Sequence, residues 1–169
     1  WIKAIAGHFA GRGLKPSQLV MCFVDETRSD AGDAHLLGWG KAAKAAVPDI
    51  TLFSDPIWVD PTKASNQEAF TLPDILCPHP GWSPEFYQKI AQDHGTELWL
   101  YNGYGLGRLG DPQLGYRQMA WRVFDIGGRG EGFWSFGDTS GAPTSWDEYN
   151  AAKPTFAPAC LGKDTVNNS

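Results

Sequence analysis

The chain has 169 residues, with 14 Lys and Arg against 19 Asp and Glu, and a formal net charge of −5. This acidic balance argues against duplex nucleic acid or an anionic membrane surface as a partner. No apolar run reaches the roughly 18 residues that a membrane span needs. The three cysteines, Cys22, Cys77 and Cys160, have neither zinc-site nor disulfide-framework spacing. Eight Trp, five Tyr and nine Phe favour a sugar ligand, because flat aromatic rings stack on sugars.

Helical and strand patterns alternate along the chain. A helix is predicted over 1–11, a strand over 19–24 that is covered on both faces, and a second helix over about 34–46. A strand at 50–53 is followed by a loop-like segment, 58–70, with room for a short helix. A third strand, 74–77, precedes Ser83-Pro84, which is the pattern of an N-cap serine with proline at the first helical position. That helix is predicted to end near His94.

The second half of the chain continues the pattern. A fourth strand is predicted at 97–101, a helix from Asp111-Pro112 to about Ile126, and a fifth strand at 131–136. The remainder is predicted as loop, with one short helix near 146–152.

Strands that alternate with helices predict an α/β fold with a parallel sheet. A doubly wound sheet and a (β/α)8 barrel both fit this order, but a complete barrel usually takes about 250 residues. We interpret residues 1–169 as a single fragment, the C-terminal portion of a (β/α)8 TIM barrel with about five βα units. The opening at Trp1, in a helix, suggests a processed or excised piece whose first strands are missing, so apolar strand edges should be unpaired.

Polar and aromatic side chains follow the predicted strands one after another. The first strand ends in Asp25 and Glu26 and the second in Asp55. Later strand ends carry the remaining candidates: His79, Trp82, Tyr101, Asn102 and Trp134. Active sites of barrels form at the carboxyl ends of their strands, so these residues are expected to lie at one rim.

Asp25 and Glu26 are the candidate catalytic residues. Two close carboxylates repel each other, so one pKa is expected to rise, which provides a proton donor beside a permanent anion. Glycoside cleavage needs this combination, because a leaving oxygen must be protonated while positive charge develops on the sugar. The alternative is a structural role, as a helix cap or as an ion pair with Arg28.

A second motif, residues 105–110, matches the GxGxxG pattern of dinucleotide sites. Two details disfavour that function: the helix begins only after Gly110, and the turn after the strand is longer than the tight turn that such sites require. We expect neither a cofactor nor a bound metal, because the four histidines show no metal-ligand spacing.

The sequence resembles the C-terminal half of glycoside hydrolase family 123 and its relatives. The resemblance lies in the order FVDE, FSDP, PHPGW, LWLYNGYG and YRQMAWRVFDIGGRGEGFWSFGD, and its most characteristic part is the segment 116–137. It implies a (β/α)8 barrel and a retaining β-N-acetylgalactosaminidase-like reaction, in which the 2-acetamido oxygen of the substrate is the nucleophile. A glycan-degrading parent protein favours a secreted or periplasmic location.

The resemblance also implies roles for individual residues. Glu26 would act as general acid and then as general base, and Asp25 would accept a hydrogen bond from the acetamido N–H. By position, Tyr101 would bind the acetamido carbonyl, and Trp134 would stack beneath the ring. The remaining candidates, Asp55, His79, Trp82 and Asn102, would contact hydroxyl groups.

Two alternatives remain open. The chain could belong to a noncatalytic sugar-binding barrel that keeps the aromatic rim. It could also belong to a glycosidase that cleaves neutral sugars with two separated carboxylates, for example Glu26 and Asp55. The expected partners are a carbohydrate and the rest of the barrel in the parent chain.

Overall fold

The computed structural model describes residues 1–79, 83–102, 118–133, 159–161 and 166–168. The chain divides into two compact units, Trp1–Trp99 and Leu100–Ser169. The helices are α1 Ile2–Ala10, α2 Asp30–Ala46, α3 Glu68–Thr71, α4 Pro84–His94 and α5 Gln118–Asp125. The strands are β1 Val20–Cys22, β2 Thr51–Ser54, β3 Ile75–Leu76, β4 Glu97–Asn102, β5 Gly130–Phe133, β6 Ala159–Leu161 and β7 Val166–Asn168.

The first five strands form one sheet in the order β1-β2-β3-β4-β5. The pairs β1–β2, β2–β3 and β3–β4 are parallel, with Met21 opposite Leu52, Ser54 opposite Leu76 and Leu76 opposite Leu98. A doubly wound sheet reverses its strand order at a switch point. This order has no reversal, and its parallel strands alternate with helices, so the α/β prediction with a parallel sheet is confirmed.

Helix α2 packs closely against the sheet because of Gly40. A Cβ atom at this position would lie 2.9 Å from Leu72 Cδ2 and 3.3 Å from Leu52 Cδ1. Around this contact, Ala43 joins Ile2, Ile50 and Leu52 in one buried cluster. The absence of a side chain at Gly40 therefore lets the backbone of α2 approach Leu52 and Leu72.

The N-terminus of α2 lies four residues before the predicted start. Ser29 is the N-cap, and its Oγ accepts a hydrogen bond from the Gly32 N–H at 3.3 Å. Asp30 and Asp33 occupy the first turn, where negative charge interacts favourably with the helix dipole. The capping pattern, rather than apolar spacing, marks the true start.

Strand β1 is the edge strand of the described sheet, and the prediction that both of its faces are covered is wrong. Val20 is 50% exposed, and Cys22 is exposed as well. Trp1 and Trp39, both exposed, contact Phe23 beyond the strand, with ring centroids 6.1 and 6.3 Å apart. An apolar surface therefore borders the open edge of β1.

Helix α4 begins at Pro84 as predicted, but Ser83 is not a side-chain cap. Ser83 has a left-handed backbone (φ 46°) and makes no capping hydrogen bond. Its hydroxyl instead donates to the Val59 carbonyl oxygen at 3.4 Å. At the other end Gly95, with φ 70°, ends the helix in the left-handed conformation that glycine adopts without strain.

In the second unit, α5 packs through Met119 and Val123 against Leu100. The strands β6 and β7 pair antiparallel, a hairpin that the sequence interpretation does not include. The predicted start of α5 at Asp111-Pro112 and the predicted helix at 146–152 lie outside the described residues. Within the described ranges, no helix is both long and apolar enough to cross a lipid bilayer.

Candidate functional site

Asp25 and Glu26 lie in the loop between β1 and α2, at the carboxyl end of the strand. Asp25 is exposed and Glu26 is half-buried. Glu26 has φ 50°, in the left-handed region that residues with a Cβ rarely adopt. Such a conformation persists only where the surroundings enforce it, and it is often found at functional sites.

Asp55 supplies that enforcing contact from the next strand. It follows β2 directly, and it is only 8% exposed. Its Oδ1 accepts a hydrogen bond from the Glu26 main-chain N–H at 3.1 Å. The parallel pairing of β1 with β2 places both strand ends at one edge of the sheet, so residues 29 positions apart in sequence meet there.

The Asp25 side chain lies close enough to Asp55 for its negative charge to act on the Asp55 carboxyl. Burial raises the pKa of Asp55 to about 7, the negative charge of Asp25 adds to this rise, and the Glu26 N–H opposes it. The sequence interpretation expected a raised pKa within the Asp25–Glu26 pair. In the structure burial raises the pKa of Asp55, a residue predicted to bind hydroxyls or, in the alternative mechanism, to act together with Glu26.

Further hydrogen bonds join the loop after β1 to the loop after β2. The Ile57 N–H donates to the Thr27 carbonyl oxygen at 2.9 Å. The indole Nε1 of Trp58 donates to Asp33 Oδ1 at 3.3 Å. The loop after β2 is therefore linked through Ile57 to the loop that carries Asp25 and Glu26, and through Trp58 to the first turn of α2.

Asp33 is a supporting residue that the sequence interpretation missed. It is fully buried, and burial raises the pKa of its carboxyl, whereas the hydrogen bond from Trp58 lowers it. The signal was present in the sequence, because Asp33 precedes Leu36, Leu37 and Gly40 at the spacing of one helix face. A carboxyl on a buried face needs a donor, and the donor is Trp58.

His79 lies beyond β3, the strand that pairs with β2. Cys77, next after β3, donates its N–H to the Ser54 carbonyl oxygen at 2.8 Å, so the two strand ends are aligned. His79 is half-buried, and burial lowers the pKa of its imidazole, which is therefore neutral at pH 7. His79 follows two residues after Cys77 and therefore lies at the same carboxyl edge of the sheet.

Four predicted site residues lie elsewhere in the chain or outside the description. Tyr101 and Asn102 are the last two residues of β4, in the second unit. Trp82, Trp134 and the GxGxxG segment at 105–110 lie outside the described residues. Their predicted roles stay predictions. Among the residues that the structure describes, no three His, Cys, Asp or Glu side chains form a potential metal site.

The opposite edge of the sheet has a different character. A cavity of about 620 Å³ lies there, lined by Lys15, Lys44, Asp49, Thr51 and Asp74 among others. Its aspartate Asp74 is paired with Lys44 at 2.7 Å. This open cavity lies at the amino ends of the strands, whereas ligands of parallel α/β sheets bind at the carboxyl ends, and its Asp74 carboxylate is already paired with Lys44. The carboxyl edge is therefore the better candidate site, despite the cavity.

No protein-family model matches the chain, and no curated protein sequence matches it either. The candidate site therefore depends on the geometry of Asp25, Glu26 and Asp55 and on the sequence resemblance stated above.

Proposed function

We propose that this chain is the C-terminal portion of a (β/α)8 barrel that hydrolyses β-linked N-acetylhexosaminides, GalNAc-like ones among them, with retention of configuration. The observation that carries this proposal is the meeting of Asp25, Glu26 and Asp55 at the carboxyl ends of two paired parallel strands. Three carboxyls at one strand edge, with one held in its protonated form near neutral pH, suit acid–base cleavage of a glycosidic bond.

In the proposed reaction Glu26 donates a proton to the glycosidic oxygen as the bond from that oxygen to C1 breaks. The carbonyl oxygen of the substrate's own 2-acetamido group attacks C1 and forms a cyclic oxazolinium-like intermediate. Asp25 accepts a hydrogen bond from the acetamido N–H, which orients the group and stabilises the positive charge. Water then attacks C1, the bond from C1 to the acetamido oxygen breaks so that the acetamido group is restored, Glu26 takes a proton from that water, and the net configuration is retained.

The remaining predicted residues have supporting roles in the proposal. His79 and Asn102 offer polar groups for hydroxyls, and Tyr101 a hydroxyl for the acetamido carbonyl. Trp82 and Trp134 offer flat rings for the sugar faces. The partners are a carbohydrate and the other strands of the barrel in the parent protein.

Asp55 also favours a second candidate function. Because the pKa of Asp55 is raised to about 7, this residue could itself be the proton donor. Paired with Glu26, it would cleave sugars that lack an acetamido group. Substrate choice separates the two candidates, since only the first mechanism needs the substrate's own nucleophile.

The test is hydrolysis of an aryl 2-acetamido-2-deoxy-β-galactoside beside the plain β-galactoside by the full-length protein, as wild type and as Glu26→Gln. We expect cleavage of the acetamido sugar alone, reduced at least about 100-fold in kcat by Glu26→Gln because general acid catalysis contributes about 10²–10⁴. Cleavage of both sugars would favour the two-carboxylate mechanism. Binding of the sugar without cleavage by either protein would refute the proposal in favour of a noncatalytic sugar-binding barrel.

A further inference from the structure

Asp55 has contacts that a residue devoted to binding a sugar hydroxyl does not need. It is 8% exposed, its Oδ1 accepts the Glu26 N–H at 3.1 Å, and the negative charge of Asp25 acts on its carboxyl. Its carboxyl therefore faces Asp25 and Glu26, the catalytic residues of the proposed reaction, rather than solvent.

The main-chain contact explains how Glu26 keeps its conformation. With φ 50°, Glu26 is in a region that costs a residue with a Cβ a measurable amount of free energy. A hydrogen bond from its own N–H to a buried carboxyl compensates for that cost only while Asp55 stays in place. Asp55 thus determines the direction in which the Glu26 side chain leaves the backbone.

The side-chain contact determines the charge of the site. When Asp55 is protonated, its O–H donates to the Asp25 carboxylate and leaves the other lone pairs of Asp25 available to a ligand. When Asp55 loses this proton, two carboxylates face each other and repel. We propose that Asp55 is a positioning residue of the active site, which fixes the Glu26 main chain and shares one proton with Asp25.

This inference rests on the proposed function for its effect on catalysis. The two thiols and the imidazole near Asp55 carry no charge at neutral pH. The thiols of Cys22 and Cys77 stay protonated at neutral pH, because loss of solvation, which for Cys22 is only partial, and then the charge of Asp55 raise their pKa values to about 11 and about 12. His79, on the next strand end, is neutral at pH 7 because burial lowers its pKa. Asp25 and Glu26 are the other acids of the site.

Since burial raises the pKa of Asp55 to about 7, the singly protonated Asp25–Asp55 pair is lost as the pH rises through that value. We therefore expect kcat/KM to fall on an alkaline limb with a midpoint near pH 7. Asparagine is the informative substitution, because its carbonyl oxygen can accept the Glu26 N–H while its NH2 group donates to Asp25 at every pH.

The first arm measures activity in the full-length protein. Asp55→Asn should move the alkaline midpoint up by at least one pH unit, and Asp55→Ala should lower kcat at least tenfold with a smaller change in KM. The control is Asp74→Asn, which removes an aspartate at the other edge of the sheet and should keep the wild-type profile. An Asp55→Asn profile with the wild-type midpoint would overturn the inference.

The second arm does not depend on activity. In protein labelled with 13C-aspartate and 15N, the Asp55 carboxyl should titrate near pH 7 and the Glu26 amide resonance should shift with the same midpoint. Asp25→Asn should move both midpoints to lower pH, because the facing charge is removed. An Asp55 carboxyl that titrates at the usual value near 4, or a Glu26 amide that does not respond, would overturn the inference. The expected titration in a protein that cleaves no glycoside would refute the proposed function instead.

Discussion

Two aspartates at opposite edges of the sheet make the same main-chain contact and have opposite surroundings. Asp55, at the carboxyl edge, accepts the Glu26 N–H at 3.1 Å. Asp74, at the amino edge, accepts the Leu52 N–H at 2.7 Å. Asp74 is also paired with Lys44, whereas Asp55 faces another carboxyl. The comparison shows that this sheet neutralises an acid by a lysine at one edge and by a retained proton at the other.

The largest expected effect is on the pH dependence of stability. The pKa of Asp55 is raised to about 7 in the folded chain, against about 3.9 when unfolded. The folded state therefore binds the extra proton between these values, and the free energy of unfolding falls as the pH rises from about 4 through 7. Because one pKa unit corresponds to about 1.4 kcal/mol, the free energy of unfolding should fall by roughly 4 kcal/mol over this range.

Urea unfolding between pH 4 and pH 8 would measure this slope. Asp55→Asn should flatten it, and Asp25→Asn should keep part of it, since burial, the larger cause of the raised pKa, is unchanged. A slope in Asp55→Asn as steep as in wild type would place the proton on another group.

The second effect concerns the indole donor at the carboxyl edge. Trp58→Phe removes the indole N–H that donates to Asp33 Oδ1 and should lower the free energy of unfolding by about 1–3 kcal/mol, the usual penalty for a buried polar group left without a partner. Trp99→Phe is the matched control, because Trp99 Nε1 donates to Glu97 Oε1 at 2.7 Å in a less buried place. Equal losses in the two variants would contradict the importance of burial at Asp33.

The smallest expected loss of stability concerns the ion pair of Lys44 with Asp74 at the amino edge. Lys44→Met should cost about 0.5–1 kcal/mol of unfolding free energy, and Lys41→Met less than about 0.5 kcal/mol, because ion pairs open to water contribute little. Lys44 and Asp74 are 27% and 41% exposed, whereas Lys41 and Glu68, its partner at 2.6 Å, are 54% and 46% exposed. Thermal unfolding at low and high salt would measure both, and a larger loss for Lys41→Met would reverse the ranking.

The fold was predictable where local pattern and tertiary structure agree. Short apolar runs identified the five strands of the sheet within a few residues, because buried parallel strands leave such runs in the sequence. Val20 and Cys22 show the limit, since the same apolar run serves an exposed edge. Ser83 fits the N-cap pattern, yet its left-handed backbone directs the hydroxyl to Val59, a contact across 24 positions that local sequence cannot specify.

The candidate site was predictable in its location and not in its pairing. Parallel strands bring Asp25, Glu26 and Asp55 to one edge whatever their side chains do. Which carboxyl faces which depends on the left-handed turn at Glu26 and on the depth of Asp55, neither of which follows from residue type. The sequence therefore suggested the adjacent pair, and three-dimensional contact selects Asp25 with Asp55.

The contacts between the two loops also bear on how the carboxyl edge moves. The Glu26 N–H is donated to the second loop and the Ile57 N–H to the first, so each loop supplies a donor that the other accepts. Opening either loop would break both bonds and would expose the buried Asp55. We therefore expect the carboxyl edge of β1 and β2 to open as a single cooperative unit, with a free energy of opening shared by residues 25–29 and 55–58.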